Sequence, residues 1–325
     1  MGRAAMSART LAGLLVSTVL AAAFLGSALA SEPGARLRVA VLPCTNIETS
    51  FRKFHPLFEY LESHTGFEMK LVVPADLPEF ETMTRNGEVD FALQDPHTYE
   101  RLSSLYEDSS LLQTRGPDGS IFQAAAVIVR RDSGLSELRQ LVGRTVMFGP
   151  RVSSPKWIAA RLLFESAGVD VDRDLKSVNG GCCEDIAFTV MIRSVDAGVI
   201  CDHFLDQNGA QHDDLGVQPD SLAVIGHTGP LPTRIFAARR GVPPDVVGAI
   251  TRALLDLDPA HDAHTEILTR AEIGGFLRTT RTDYLEGLDP SGAGDARKTI
   301  LFRHDRGVPE RESVHALLRV TGITR

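Results

Sequence analysis

The chain has 325 residues, 43% hydrophobic and 23% charged, with a net charge of −8 at pH 7. That apolar share is enough for a packed core and excludes wholesale disorder. The excess of acid over base excludes a nucleic-acid binder that relies on overall positive charge, and the length suggests two domains.

Residues 1–30 carry no acid and only two bases, Arg3 and Arg9, ahead of the apolar run 11–25 and the small-residue site Ala28-Leu29-Ala30. This three-part layout predicts a cleaved secretory signal peptide rather than a retained span. No cysteine is present there for a lipid anchor, and the rest of the chain is expected in the periplasm.

A short apolar run at 37–42 predicts a buried strand. Phe51, Phe54, Leu57, Phe58 and Leu61 recur at helical spacing over 48–65, and Gly66 ends that helix. A strand at 69–73, a helix at 77–86 closing on Asn86-Gly87, and a strand at 89–93 follow. Strands alternating with helices predict a parallel sheet covered by helices. The pattern restarts with a strand at 124–129, a helix at 135–142, a strand at 145–148 and a long helix at 155–166. A weak strand at 177–178, a helix at 184–192 and a strand at 195–200 complete that half. Strands at 221–225 and 233–238 and a helix at 244–257 come next. Residues 289–312 are polar, rich in Gly, Pro and charge, and read as a mobile tail.

Residues 86–93 (NGEVDFAL) and 193–200 (RSVDAGVI) echo each other. Each has a helix end, Val-Asp and a short, mostly apolar run before polar residues. Any α/β strand can look this way. The sharper reading is two similar lobes, each presenting a strand's carboxyl end to one crevice, where ligands of open α/β sheets bind.

Five stretches then carry a resemblance: VAVLPCTNIETSFRKFHPLFEYLESHTGFEMKLVV, RNGEVDFALQDPHTY, ELRQLVGRTVMFGPRVSSPKWIAARLLFESAGVD, NGGCCEDIAFTVMIRSVDAGVICD and GPLPTRIFAARRGVPPDVVGAITRALLDL. With the ending GGFLRTTRTDY, their order and spacing resemble the periplasmic solute-binding proteins of phosphate, phosphite and phosphonate ABC transporters, over about residues 37–287. The resemblance implies an α/β, two-lobed, type 2 periplasmic-binding fold, each lobe a mainly parallel sheet flanked by helices. Lobe one would hold 37–123 and 233–287, lobe two 124–232, with hinge crossings near 123 and 232. It implies closure on a small oxyanion and delivery to an ABC permease, with no cofactor, no metal and no bond made or broken. A monomer is expected, touching the membrane only through its partner.

Ser153-Ser154-Pro155 stands between a strand and the long helix. Serine caps helices and proline suits the first helical position, so free N–H groups and the helix dipole there suit an anion. An ordinary N-cap is the plainer account. In the resembled family a Ser-Thr-Ser run here grips the phosphonate oxygens; Ser153 and Ser154 match two of its hydroxyl positions and Pro155 departs. Lys156 adds charge or is simply solvated. Thr45 and Asn46 follow the first strand, as turn residues or as crevice contacts. Gln94, Asp95, His97 and Tyr99 follow the third strand. Relatives carry an FGP-type turn and an aromatic here, which Pro96 and Tyr99 match and Asp95 and His97 do not. His97 could donate to an anion if protonated. Asp202, at another strand end, would bind an amine or hydroxyl, or cap the next helix.

Export makes disulfides the default for Cys44, Cys182, Cys183 and Cys201. On the family layout all four edge one crevice, with Cys44 where relatives often have tyrosine and Cys183 where many place an anion-donating histidine. Three readings stay open. Cys201 bridges Cys182 or Cys183; or the thiolates bind a soft ligand such as a thiophilic metal or trivalent arsenic species; or they serve redox chemistry. A Cys182–Cys183 bridge would be strained, and a Cys44 bridge to the second lobe would pin the hinge shut. No nucleotide loop, nucleophile elbow or convincing carboxylate pair is present, which speaks against an enzyme. The expected function is capture of a phosphate- or phosphonate-like oxyanion for a permease. The rival is a sensing protein for a thiophilic oxyanion or metal species that signals to a membrane histidine kinase.

Overall fold

The computed structural model describes residues 36–42, 47–205 and 216–288. Cys44, Thr45 and Asn46, the signal segment and the tail from residue 289 lie outside the described residues.

The first half alternates as the sequence predicts through β1 (Leu37–Val41), α1 (Ile47–Thr65), β2 (Met69–Val72), α2 (Leu77–Arg85) and β3 (Phe91–Gln94), then adds α3 (Pro96–Leu102) and β4 (Leu112–Arg115), which no local pattern marked. All four residues of β3 are buried, as in a strand covered on both faces. On α1, Phe54, Leu57, Phe58 and Leu61 form the buried stripe. The Asp76 carboxylate caps α2 by accepting the Glu79 N–H at 2.8 Å.

The chain then passes through β5 (Phe122–Gln123) into β6 (Ala125–Arg130) and β7 (Thr145–Phe148). A π-helical turn at Ser154–Ala159 runs into α4 (Ala160–Ser166), followed by α5 (Val171–Asp174), β8 (Lys176–Asn179), α6 (Cys183–Met191), β9 (Ala197–Cys201) and β10 (Leu222–His227). It returns through β11 (Leu231–Pro232) to β12 (Ile235–Ala238), α7 (Pro244–Leu255), α8 (Asp262–Ala271), β13 (Gly275–Arg278) and α9 (Arg281–Glu286). The helix expected at 135–142 is a single 3-10 turn, Leu138–Leu141, closed at its start by reciprocal Glu137 and Gln140 capping.

Among the described residues the strands form a six-stranded sheet, β13-β4-β12-β3-β1-β2, and a five-stranded sheet, β10-β6-β9-β7-β8. The ladders β2–β1–β3 and β9–β7–β8 are parallel, as strand–helix–strand units require. The pairings of β12 and β13 in the first sheet, and of β6 and β10 in the second, are antiparallel. The two passages between the sheets pair with each other: Leu231 stands opposite Gln123 and Pro232 opposite Phe122. The Gln123 side chain donates to the Pro232 carbonyl at 3.0 Å.

Each sheet has its own core. Phe54, Leu57 and Leu61 of α1 and Val246, Ile250 and Leu254 of α7 pack with Val39, Phe91 and Phe236 of the first sheet. Phe148, Trp157 and Phe164 lead the cluster on one face of the second sheet, and Ile128, Met147, Ile186 and Val190 that on the other. Each such side chain contributes about 1.5–3 kcal/mol over an exposed one.

One packing detail positions the site. A Cβ at Gly198 of β9 would lie 2.5 Å from Ile186 and 2.9 Å from Val190 on α6. The missing side chain lets α6 settle onto β9, which brings Cys183, the first residue of α6, beside Cys201, the last of β9.

Candidate ligand-binding cleft

A cavity of about 1240 Å³ opens between the two sheets and is walled by both. Lys53, Asp95, Arg234 and Glu272 come from the first, and Ser153, Lys156, Cys182, Cys183, Cys201, Asp202 and His203 from the second. The residues following β3 are divided. Asp95 lines the cleft, whereas Gln94 is fully buried and its side-chain oxygen accepts the Tyr106 hydroxyl at 3.4 Å. Tyr99 is also fully buried, packed against the rings of Tyr106 and Tyr284. Gln94 and Tyr99 therefore support the floor from beneath. His97 reaches the second sheet by its backbone N–H, which donates to Ser154 Oγ at 3.3 Å.

The helix terminus expected to grip an oxyanion is filled by the protein itself. Asp95 stands at the start of α3 without capping it. Its carboxylate instead accepts the Ser154 N–H at 2.8 Å. The Lys156 N–H goes to Ser153 Oγ at 3.3 Å, and the Trp157 and Ile158 N–H groups go to the Ser153 carbonyl. Pro155 has no N–H to give. Ser153 is thus an N-cap, and Ser154 holds the two lobes together through its N–H and its hydroxyl. Burial pushes the Asp95 carboxyl above its usual range, opposed by the Ser154 N–H, Arg234 and Lys156.

Lys156 is 4% exposed, and its ammonium donates to the Gly181 carbonyl at 3.1 Å. Its stem fills the space beside Gly149, where a Cβ would come within 2.5 Å of it. Opposite, Glu272 follows α8 with a left-handed backbone, φ 55°, a conformation that costs a non-glycine residue about 1–2 kcal/mol. It pairs with Lys53. Burial alone would raise the Glu272 carboxyl, but Lys53, Arg234 and Lys156 hold it below its usual range. Lys53, Arg234 and Glu272 carry no local sequence signal of a site; tertiary structure alone brings them to the cleft.

The second wall carries the cysteines. Cys182 caps α6, its sulfur accepting the Asp185 N–H at 3.5 Å, and burial with the nearby Asp185 carboxylate pushes its thiol up to about 12. Cys183 Sγ accepts the Cys201 N–H at 3.2 Å. A hydrogen bond from the Cys201 thiol, together with Lys156, holds Cys183 well below the ordinary thiol range despite burial. Cys201 is driven the other way by that bond and by burial. The two thiols are thus driven apart, Cys183 down and Cys201 up. Cys182, Cys183 and Cys201 are free, so neither of the expected bridges to Cys201 is formed. Beside them Asp202 Oδ1 lies 3.4 Å from His203 Nδ1. Burial would lower the His203 imidazole, but Asp202, Cys183 and Glu272 raise it overall. Among the described residues no group of three or more His, Cys, Asp or Glu is arranged to hold a metal ion.

The model of the periplasmic substrate-binding proteins of phosphonate ABC transporters matches residues 39–284. The chain belongs to that family. Among solved structures it is similar to a binding-protein component of a phosphonate ABC transporter from Pseudomonas aeruginosa, at TM-score 0.68 and 15% identity over 88% of this chain and 94% of that one. PhnD1 from Prochlorococcus marinus in complex with methylphosphonate gives TM-score 0.66 and 16% identity, over 78% and 95% of the two chains. XAC2383 from Xanthomonas citri, bound to ATP, gives 0.63 and 19%, over 83% and 99%. At these identities the likeness shows the two-lobed fold. A curated relative, the tetrathionate sensor histidine kinase TtrS of Salmonella typhimurium, is 24% identical over 246 residues, 70% of this chain. This chain spans about two fifths of the length of that relative, 41%. Membership of that family supports a solute-binding role and implies the periplasm, and among the described residues no helix is long and apolar enough to cross a membrane.

Proposed function

We propose that this protein captures a small oxyanion, phosphate- or phosphonate-like in size and charge, between its two lobes and presents the closed form to an ABC permease. One observation carries the reading: a carboxylate from one lobe meets the Ser154 N–H of the other, with the charges of Lys156 and Arg234 acting on it. An external oxyanion that displaces Asp95 meets the same donors, and by touching both lobes it favours the closed form. The paired passages β5 and β11 serve as the hinge, and the lobes are the two sheets with their helices.

The test combines calorimetry and small-angle scattering on the mature chain with phosphate, phosphite and methylphosphonate. A ligand that binds should also compact the protein. Binding without compaction removes the closure mechanism.

A second reading keeps the capture step and changes the listener. A sensor histidine kinase for tetrathionate is a relative of this chain, and the adjacent Cys183 and Cys201 line the cleft. On that reading the liganded protein raises autophosphorylation of a membrane kinase, whereas on the first it raises ATP hydrolysis by a reconstituted permease.

A further inference from the structure

We infer that Cys183 and Cys201 form a reactive dithiol in the cleft for anions that contain a sulfur–sulfur bond, the polythionates, with Cys183 attacking and Cys201 resolving. The inference rests on the anion-capture reading above and names a ligand class for that site.

The two sulfurs come from adjoining ends of α6 and β9, and both line the cleft. The Cys201 N–H donates to Cys183 Sγ at 3.2 Å, so the pair is in contact before any ligand arrives. Cys183 is the first residue of α6, where the helix dipole favours a thiolate, and Lys156 adds a second attraction. Cys182, its neighbour, is spent as the N-cap and stays protonated, which supplies an internal control.

The surrounding charge selects the class. A plain oxyanion makes no use of the two sulfurs, and a neutral thiophile needs no cations. Lys156 acting on Cys183, with Arg234 and His203 lining the same cleft beside the carboxylates Asp95, Asp202 and Glu272, suits a ligand that is both anionic and electrophilic at sulfur. The Cys183 thiolate attacks one inner sulfur of tetrathionate; a sulfur–sulfur bond forms on Cys183, the central bond of the ligand breaks, and thiosulfate leaves with the electron pair. Cys201 gives its proton to solvent and attacks Cys183 Sγ. A second thiosulfate leaves, and Cys183–Cys201 is a disulfide. Two thiols have been oxidised and one tetrathionate reduced to two thiosulfates.

The experiment uses the mature chain, mildly reduced and desalted, with tetrathionate as probe. Wild type should release two thiosulfates per chain, and peptide mass spectrometry should map a Cys183–Cys201 bridge. Cys201→Ser should stop after one thiosulfate, with an S₂O₃ adduct on Cys183. Cys183→Ser should react at least about a hundredfold more slowly, as expected when the thiolate is the nucleophile. Cys182→Ser should still map the bridge to Cys183 and Cys201. Reaction of Cys183→Ser at the wild-type rate, or adducts mapped only to Cys182 or Cys44, overturns the inference. Scattering with methylphosphonate keeps the two readings apart. Compaction without thiosulfate release sinks the dithiol alone, and loss of both sinks the cleft as an anion site.

Discussion

The Asp95 carboxylate accepts the backbone N–H of Ser154 at 2.8 Å, a bond that joins a residue after β3 of one sheet to the start of the helix after β7 of the other. An anion of the protein's own thus stands where an external one would be expected. Removing its charge while keeping its shape leaves Ser154, Lys156 and Arg234 to the ligand. Asp95→Asn should therefore tighten oxyanion binding by about tenfold, or 1.4 kcal/mol, by calorimetry. Because burial raises the Asp95 carboxyl, it takes up a proton at a higher pH than an ordinary aspartate, and wild-type affinity should climb as pH falls toward that raised value. Weaker binding by Asp95→Asn would mean that Asp95 helps the ligand rather than competing with it.

Ser154 Oγ accepts the His97 N–H at 3.3 Å, a second bond between the lobes. Ser154→Ala leaves that N–H without its partner and should cost the closed form about 1 kcal/mol, roughly fivefold in affinity. Scattering should show the liganded variant less compact than wild type, with the fold intact by circular dichroism. Unchanged affinity would place the ligand elsewhere in the cleft.

His203 makes the stability of the protein depend on pH. Its imidazole lies above the reference value of 6.5, because Asp202, Cys183 and Glu272 outweigh the burial that opposes its charge. A raised folded-state value contributes stability that is fully present below about 6.5 and fades as pH rises through the folded value. The melting temperature of wild type relative to His203→Gln should therefore be highest on the acid side and converge on the alkaline side. A difference that grows with pH would reject the assignment.

Gly198 sets the distance between α6 and β9. An added methyl must push Ile186 and Val190 away, and overpacking of this kind costs about 1–3 kcal/mol. Gly198→Ala should show that loss in urea denaturation, and it should slow the reaction of Cys183 with tetrathionate by moving the start of α6 away from Cys201. A variant of wild-type stability would show that α6 yields freely.

The alternation of strands and helices was legible because apolar runs and the α1 stripe are local patterns. β4 was not, since it contains Gln113 and Thr114; both are buried, with their side chains satisfied by the Ile121 and Arg234 carbonyls, so their polarity hides a strand. In the cleft, Asp95, Ser153, Cys183, Cys201 and Asp202 could be named because each stands at a strand end or helix start. Gln94 and Tyr99 share that position but turn into the core, a choice made by packing against Tyr106 and Tyr284. Arg234 and Glu272 come from the returning chain, and only the sheet order β4-β12-β3 brings them opposite the second lobe. That the Ser154 N–H meets a carboxylate of the chain itself depends on two residues 59 positions apart, beyond the reach of any local motif.

Cys183 and Cys201 both belong to the five-stranded layer. A bond between them fastens nothing to the opposite jaw, so the protein remains at liberty to part and let its cargo go. What stays behind is a covalent memory of the visit, readable after the visitor has left and erased only by a reductant.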